Sequence, residues 1–293
     1  MGLLGRLGRS YRFGDLGQRS AITVGRKTKI PSFLSFYVPS LQTNILSVQN
    51  IKKSFGDLHA LDGISLDVPR QKVSILIGPN GSGKTTLINV ISGIYKPDAG
   101  KVRFNEKEIT GAPPYRLYQM GMARTFQIPA LFWKLTVLEN LLVAEKSNPG
   151  ESFLNSLFKS RWINSETRSI EKASRMLGLL GLSKVWDQPC YNLSGGQMKL
   201  VEIGRALMSN AQLLLLDEPV SGVNPTLAHE IFSRILRLRD EFGLTFFIVE
   251  HRLEVALQYV DAIFAMAFGK LIASGSPEDV LKNEKVIEAY LGG

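Results

Sequence analysis

Val73-Ser-Ile-Leu-Ile77 runs directly into Gly78-Pro-Asn-Gly-Ser-Gly-Lys84-Thr85, and that stretch into Thr86-Leu-Ile-Asn-Val-Ile91. The first five residues are nearly all apolar, which suits a strand buried on both faces of a parallel sheet. The last six place apolar side chains at a helical spacing. Between them the glycine-rich stretch satisfies G-x-x-x-x-G-K-[ST], and a strand before it with a helix after it is the setting that pattern needs. The reason is charge. Glycines let successive backbone N–H groups face inward as an anion nest, the helix N-terminus adds partial positive charge, and an ammonium reaches the outer phosphates. Gly78, Pro79, Asn80, Gly81, Ser82, Gly83, Lys84, Thr85 and Thr86 are therefore the expected nucleotide-binding residues. Lys84 serves the outer phosphates, and Thr85 ligates the Mg²⁺ that bridges the β- and γ-phosphates.

Working outward, Ile45, Leu46, Val48 and Ile51, then Ile64, Leu66 and Val68, predict two short strands separated by the turn signals Gly56 and Gly63, an antiparallel start. Leu213–Leu216, Thr245–Val249 and Ala262–Ala267 are further apolar strand candidates with helical segments between them, as expected for an α/β sheet with right-handed crossovers. From about Pro129 to Asn192 no strand pattern occurs and helical periods dominate, as in Ile170–Leu182, so a helical insertion at about 129–195 is expected. Near the end, Ser276-Pro-Glu-Asp279 supplies an N-cap, a proline at the first helical position and acids in the first turn.

Leu213-Leu-Leu-Leu-Asp217-Glu218 delivers two carboxylates at the carboxyl end of a strand, where ligands bind in open α/β sheets. Alone, such an acid pair is a turn or a helix cap. Beside a phosphate loop, Asp217 is placed to hold the Mg²⁺ shell and Glu218 to polarise the attacking water. Leu193-Ser-Gly-Gly-Gln197 precedes apolar positions Leu200, Val201, Ile203, Gly204 and Leu207 that suit a helix. Glycines and a hydroxyl again sit at a helix start, which makes this element a second anion-binding terminus or a simple capped turn.

Together these residues resemble the nucleotide-binding subunits of ABC transporters, whose signature is the LSGGQ element, and the resemblance covers nearly all of residues 45–293. It implies a P-loop NTPase cassette of the α/β class over 44–293, with a mostly parallel sheet core, an antiparallel β subdomain and the inserted helical subdomain, behind a leader at 1–43. It also implies a head-to-tail dimer with a second copy or a different ATPase. Ser194, Gly195 and Gly196, with Gln197 beside them, would then bind the γ-phosphate held by the partner's phosphate loop. Gln127, in Thr125-Phe-Gln127, corresponds to the glutamine that senses Mg²⁺ and water and links to the helical insertion. His251, after Phe246-Phe-Ile-Val-Glu250, corresponds to the switch histidine that contacts the γ-phosphate, and Phe55 to the ring that stacks on adenine. Two positions depart from the pattern: Asn224 stands where many members have aspartate, and Arg252 where an acid is common.

At finer grain, Met122-Ala-Arg-Thr-Phe-Gln127, Leu131-Phe132, Leu135-Thr-Val-Leu-Glu-Asn-Leu141, Gly222-Val-Asn-Pro225, Val249-Glu-His251 and Ala289-Tyr-Leu-Gly292 are similar to the ATPases of branched-chain amino acid importers. Urea and other amide uptake systems share the pattern, and related ATPases serve lipopolysaccharide export. The resemblance implies a peripheral subunit on the cytoplasmic face of the membrane whose ATP hydrolysis powers uptake through separate permease subunits. The permease would meet the surface near Ile128–Asn140, with Leu131, Phe132 and Trp133 as exposed apolar residues. An extracytoplasmic solute-binding protein completes such systems. A non-transport ATPase acting with a soluble or nucleic-acid partner is the other class. Translation-type relatives carry two cassettes and DNA-repair relatives long coiled coils, and neither occurs in this sequence.

The 293 residues are 44% apolar and 21% charged, a globular composition, with a single cysteine, Cys190, and hence no internal disulfide. No apolar run approaches the roughly 18 residues of a membrane-spanning helix. The net charge of +9 is unevenly spread: residues 1–45 hold seven Lys and Arg against Asp15, leaving 28 basic and 25 acidic residues for the remainder. With +6 in the leader and +3 in the rest, nucleic-acid binding loses its compositional support. The leader itself reads as disordered; a transit peptide and a start placed too far upstream share its Arg- and Ser-rich makeup.

Overall fold

The computed structural model describes residues 43–126, 130–146 and 159–291; the leader up to residue 42 and Gln127 to Pro129 lie outside the described residues. Strand β1 (Asn44–Phe55) buries Leu46, Val48 and Ile51 and pairs antiparallel with β2 (Leu58–Pro69) through a turn at Gly56-Asp57. Gly63 is not the second turn its position suggests. It lies inside β2 at φ +79°, where the pairing steps from Ile51 opposite Ile64 to Lys52 opposite Asp62. A residue skipped by the ladder is a bulge, and a glycine accepts the left-handed backbone it requires. Strands β4 (Ala99–Phe104) and β5 (Lys107–Glu108) extend this sheet in the order β2-β1-β4-β5.

The second sheet contains β3 (Val73–Ile77), β6 (Met122–Arg124), β7 (Leu213–Asp217), β8 (Thr245–Val249), β9 (Ala262–Ala267) and β10 (Lys270–Gly275) in the order β10-β9-β3-β8-β7-β6. Its pairings are parallel except for the β9–β10 hairpin. Helix α1 (Lys84–Ile91) follows β3, and α2 (Pro114–Met120) precedes β6. The helical insertion comprises α3 (Val137–Leu142), α4 (Lys159–Leu179) and a 3-10 turn at Cys190–Asn192. After it come α5 (Gly195–Met208), α6 (Pro225–Phe242), α7 (Leu253–Ala256), α8 (Pro277–Leu281) and α9 (Glu284–Leu291).

The unbroken apolar strands are explained by two cores, one on each face of the parallel sheet. Val73, Ile75 and Ile77 of β3, Leu214 and Leu216 of β7, and Phe246 and Ile248 of β8 pack with the helical layer of α3 to α6. Leu76, Leu213, Leu215, Phe247 and Val249, the residues between them, pack with β1, β2 and α1. The strand period of two sends alternate side chains to opposite faces, and each face finds apolar cover. Fully burying one such side chain stabilises the fold by roughly 1.5–3 kcal/mol.

Inside the insertion, Asn140 is fully buried. Its Nδ2 donates to the carbonyls of Phe132 and Thr136, both at 3.0 Å, and its Oδ1 accepts from the Phe132 N–H at 3.0 Å. One side chain thus ties down the loop preceding α3. Leu131 joins the helical core, correcting its expected exposure, whereas Phe132 and Trp133 stand out in solvent beside Tyr191, whose N–H donates to the Trp133 carbonyl. Cys190 is buried against Asn140. Ser276 caps α8 as its sequence predicts, accepting from the Asp279 N–H.

Candidate nucleotide-binding and hydrolysis site

The strand β3 ends in the glycine loop and α1 begins at Lys84, with Gly83 as its N-cap at φ +100°. A Cβ at Gly83 would meet the Ala60 carbonyl oxygen at 2.5 Å, so loop and β2 approach too closely for a side chain. Asn80, Gly81 and Thr85 are exposed, Gly78 and Ser82 buried, and Pro79 and Thr86 half-buried. The Lys84 Nζ arches back over the loop, donating to the carbonyls of Gly78 and Pro79, both at 2.8 Å. Burial holds its pKa below the ordinary lysine value, opposed by the nearby carboxylates of Glu218 and Asp217. Those two acids reach the same pole of the sheet because β7 lies one strand away from β3, with β8 between.

Asp217 is not a bare carboxylate. The Arg124 Nη2 lies 3.1 Å from its Oδ2 in a nearly buried ion pair, while Arg124 Nη1 donates to Asn89 Oδ1 at 2.6 Å and Ser92 Oγ at 2.8 Å. Arg124 thereby joins the helix behind the phosphate loop to the acidic strand end. Glu218 has φ +48°, and its Oε1 lies 3.6 Å from His251 Nδ1, too long for a hydrogen bond, in a corner where the His251 ring is half exposed. Glu250 behind them is wholly buried and accepts from the Val220 N–H at 3.0 Å and the His251 N–H at 3.2 Å. Burial raises its pKa, and those amides pull it back down. Arg252 acquires a structural role: its Nη1 donates to the Val223 carbonyl at 2.8 Å, bracing the loop after Glu218 as an acid at this position could not. Asn224 caps α6, accepting from the Leu227 N–H at 2.9 Å.

At the start of α5, Ser194 Oγ accepts from the Gln197 N–H at 3.3 Å and Gln197 Oε1 accepts from the Ser194 N–H at 2.9 Å, a reciprocal capping box. The capped turn is therefore real. It does not consume the Gly195 and Gly196 amides, which have no partner within their own helix. Phe55 is partly exposed and edge-on to Tyr95 at 5.3 Å between ring centroids, so a second ring lies beside the expected one. On the root of the segment that leads to Gln127, the Phe126 N–H donates to Glu202 Oε1 at 3.0 Å. Burial lifts the Glu202 carboxyl to about 7, against the opposing pull of that amide and of Arg205 and Lys199.

Tyr95, Lys199 and Glu202 have no motif to announce them, and Arg124 and Glu250, though inside the stretches 122–127 and 249–251, carry roles that those stretches do not predict. Each acts through a contact far away in the chain, and only an acid or a base at an otherwise apolar helix or strand position hints at such a role. Gln127, expected at the metal, lies outside the described residues. Among the described residues, no three His, Cys, Asp or Glu side chains come together as a metal cage. Thr85 and Asp217 supply hard oxygen donors suited to Mg²⁺, which keeps waters and phosphate oxygens for the remaining positions.

A glycine loop at the head of α1, an acid-tipped neighbouring strand and a helical insertion ending at a second capped helix define a P-loop nucleotide-binding cassette. The family model "ABC transporter" matches residues 61–221, and "Branched-chain amino acid ATP-binding cassette transporter" matches residues 270–293. A probable branched-chain amino acid transport ATP-binding protein LivG of Methanocaldococcus jannaschii is 51% identical over 252 residues, covering 85% of this chain and 97% of its own length. The high-affinity branched-chain amino acid transport ATP-binding protein BraF of Pseudomonas aeruginosa is 36% identical over 249 residues, covering 85% and 98%. A crystal structure of a nucleotide-free ATP-binding cassette from an ABC transporter superimposes with a TM-score of 0.74 at 50% identity, covering 85% of this chain and 100% of that one. A similar cassette in its ADP conformation gives the same score and identity. The chain belongs to the ATP-binding subunits of ABC transporters, which hydrolyse ATP to power transport.

Proposed function

We propose that this chain powers the uptake of branched-chain amino acids, or a closely related small solute, through separate permease subunits at the cytoplasmic face of a membrane. The observation that carries the substrate class is the match of residues 270–293 to the branched-chain subgroup, beyond the general cassette. The relatives named for that transport align over nearly their whole length. Among the described residues no helix is long and apolar enough to cross a membrane, and in this reading separate permease subunits supply the transmembrane path. Phe132, Trp133 and Tyr191 offer those partners an exposed apolar contact, narrower than the whole Ile128–Asn140 stretch because Leu131, Val137 and Asn140 are buried.

In this reading the amides of Gly78 to Thr85 and the Lys84 ammonium hold the phosphates, with Phe55 and Tyr95 against the base. Thr85, Asp217 and Gln127 would hold Mg²⁺, which supplies charge neutralisation of the β- and γ-phosphates when bound. Glu218 accepts a proton from the attacking water, and His251 contacts the γ-phosphate. Two cassettes, identical or related, meet head to tail, so that Ser194, Gly195 and Gly196 close on the nucleotide of the opposite subunit. The Ser194 hydroxyl can do so without losing its cap: its oxygen accepts from Gln197 while its hydrogen remains available to a phosphate oxygen. Enclosing the phosphates away from water strengthens every one of these contacts.

The test of the chemistry is Glu218→Gln. It should bind ATP as the parent does and lower turnover roughly 10²- to 10⁴-fold, the usual size of a general-base contribution; parent-like hydrolysis would refute the assignment of Glu218. The test of the transport role is copurification from detergent extracts, where an integral membrane permease is expected. Recovery of rRNA, DNA or a soluble scaffold in its place would overturn it.

A further inference from the structure

We propose that Lys199 is a positioning residue that couples the helix behind the LSGGQ element to the backbone of Glu218; the proposal rests on the reading of Glu218 as the general base. Glu218 sits at φ +48°, in the left-handed region, where a residue with a Cβ is strained. Such a conformation persists only where its surroundings over-determine it. The Glu218 N–H donates to the Val249 carbonyl at 2.9 Å, which ties it to the end of β8. Its own carbonyl accepts from the Ser221 N–H at 3.1 Å and from Lys199 Nζ at 2.9 Å. The same ammonium donates to the Ser221 carbonyl at 2.7 Å. Lys199 therefore staples the turn from Glu218 to Ser221 across two of its carbonyl oxygens, and the direction in which the Glu218 side chain leaves the strand depends on that turn.

The other end of Lys199 decides what the staple reports. It stands on α5, five residues beyond the Ser194 N-cap, in a helix that runs from Gly195 to Met208. A helix of this length moves as a rigid body, so a displacement of Ser194 to Gly196 on engaging a phosphate is carried to the ammonium and on to Glu218. The ammonium touches backbone carbonyls rather than reacting atoms, which makes its role one of placement. The loop has independent support: Glu250 accepts from the Val220 N–H, and Arg252 donates to the Val223 carbonyl. Loss of Lys199 should leave the loop attached but Glu218 less well aimed.

The experiment is a double-mutant cycle in the full-length chain with Lys199→Met, which retains an apolar stem and deletes the donor, and Glu218→Gln. Steady-state hydrolysis, single-turnover hydrolysis and equilibrium ATP binding are measured for all four proteins. Lys199→Met should lower kcat about tenfold or more, as expected when a catalytic group is misplaced by a fraction of an ångström, with ATP affinity within twofold of the parent. In the Glu218→Gln background it should change the residual rate less than twofold, because a residue that acts only through Glu218 has nothing left to place. Parent-like kcat in Lys199→Met, a loss confined to ATP affinity, or an equal fractional loss in both backgrounds would each overturn the proposal. If Lys199→Met does not fold, Lys199→Gln enters the same cycle and is judged by the same outcomes. Parent-like turnover in Glu218→Gln alone removes the base assignment, whereas impaired Glu218→Gln beside unimpaired Lys199→Met removes only the coupling.

Discussion

Lys84 is held by the carbonyls of its own loop, so its charge is aimed before any phosphate arrives. Lys84→Ala should weaken ATP binding at least tenfold in an equilibrium titration, since a charge-assisted contact of about 1.5–3 kcal/mol is lost. Glu202 carries a different prediction. Its ordinary carboxyl value of 4.5 rises to about 7 in the folded protein, so folding favours its protonated form. The sign follows: no penalty exists below about 4.5, a penalty grows as pH rises toward 7, and above that it is constant. Glu202→Gln keeps an acceptor for the Phe126 N–H and removes the ionisation. Above pH 7 it should be more stable than the parent by on the order of 1–3 kcal/mol, with the gain shrinking toward pH 4.5, as denaturant titrations at several pH values would show. The positions of the phosphate loop before α1 and of the acid pair at the end of β7 were legible in the sequence because spacing along a short loop and at a strand end encodes them. Lys199, Glu202 and Arg252 were not, because each acts on backbone groups 19 to 76 residues away.

The start of α5 separates two glycines that the signature motif treats alike. A Cβ on Gly195 would find no atom within 4 Å, whereas one on Gly196 would meet Leu227 Cδ2 at 2.2 Å. Gly196→Ala should therefore destabilise the isolated chain by about 1–3 kcal/mol through overpacking against α6. Gly195→Ala should leave its melting temperature within error of the parent. If Gly195 faces a partner's nucleotide, the same Gly195→Ala change should nevertheless depress hydrolysis severalfold, and parent-like activity would argue against that face being the closing surface. The long, strongly patterned elements were readable from sequence: β3, β7, β8 and β9 as apolar runs, α1 from its loop, α8 from its cap. The strands β5, β6 and β10 escaped because they are short or half-exposed edges, and β4, an interior strand, because it is half-exposed and holds Gly100, so pairing in three dimensions outweighs local propensity. Gly63 misled for a related reason, since a bulge and a turn ask the same backbone freedom of a glycine.

At the scale of the whole molecule, two cores share one sheet, and the residues of the site come from the sheet's carboxyl edge and the helical layer. The LivG relative of Methanocaldococcus jannaschii aligns over 97% of its own length with 252 residues, 85% of this chain; we propose that the basic leader at 1–43 lies outside the catalytic cassette. Removing residues 1–40 should leave ATP hydrolysis largely intact; a truncated protein that folds but cannot hydrolyse ATP would overturn this division of the chain. The Arg124 bridge spans the same scale, drawing together β6, the end of α1 and the tip of β7. To a free divalent cation in bulk water, Asp217 presents a charge already balanced by a guanidinium, and among the described residues no three His, Cys, Asp or Glu side chains gather into a metal cage. In the proposed mechanism an ion held by Thr85 and Asp217 would take its remaining ligands from phosphate oxygens and water, so Mg²⁺ should bind far more tightly to the nucleotide-loaded chain than to the empty one, as calorimetric titration of both would measure.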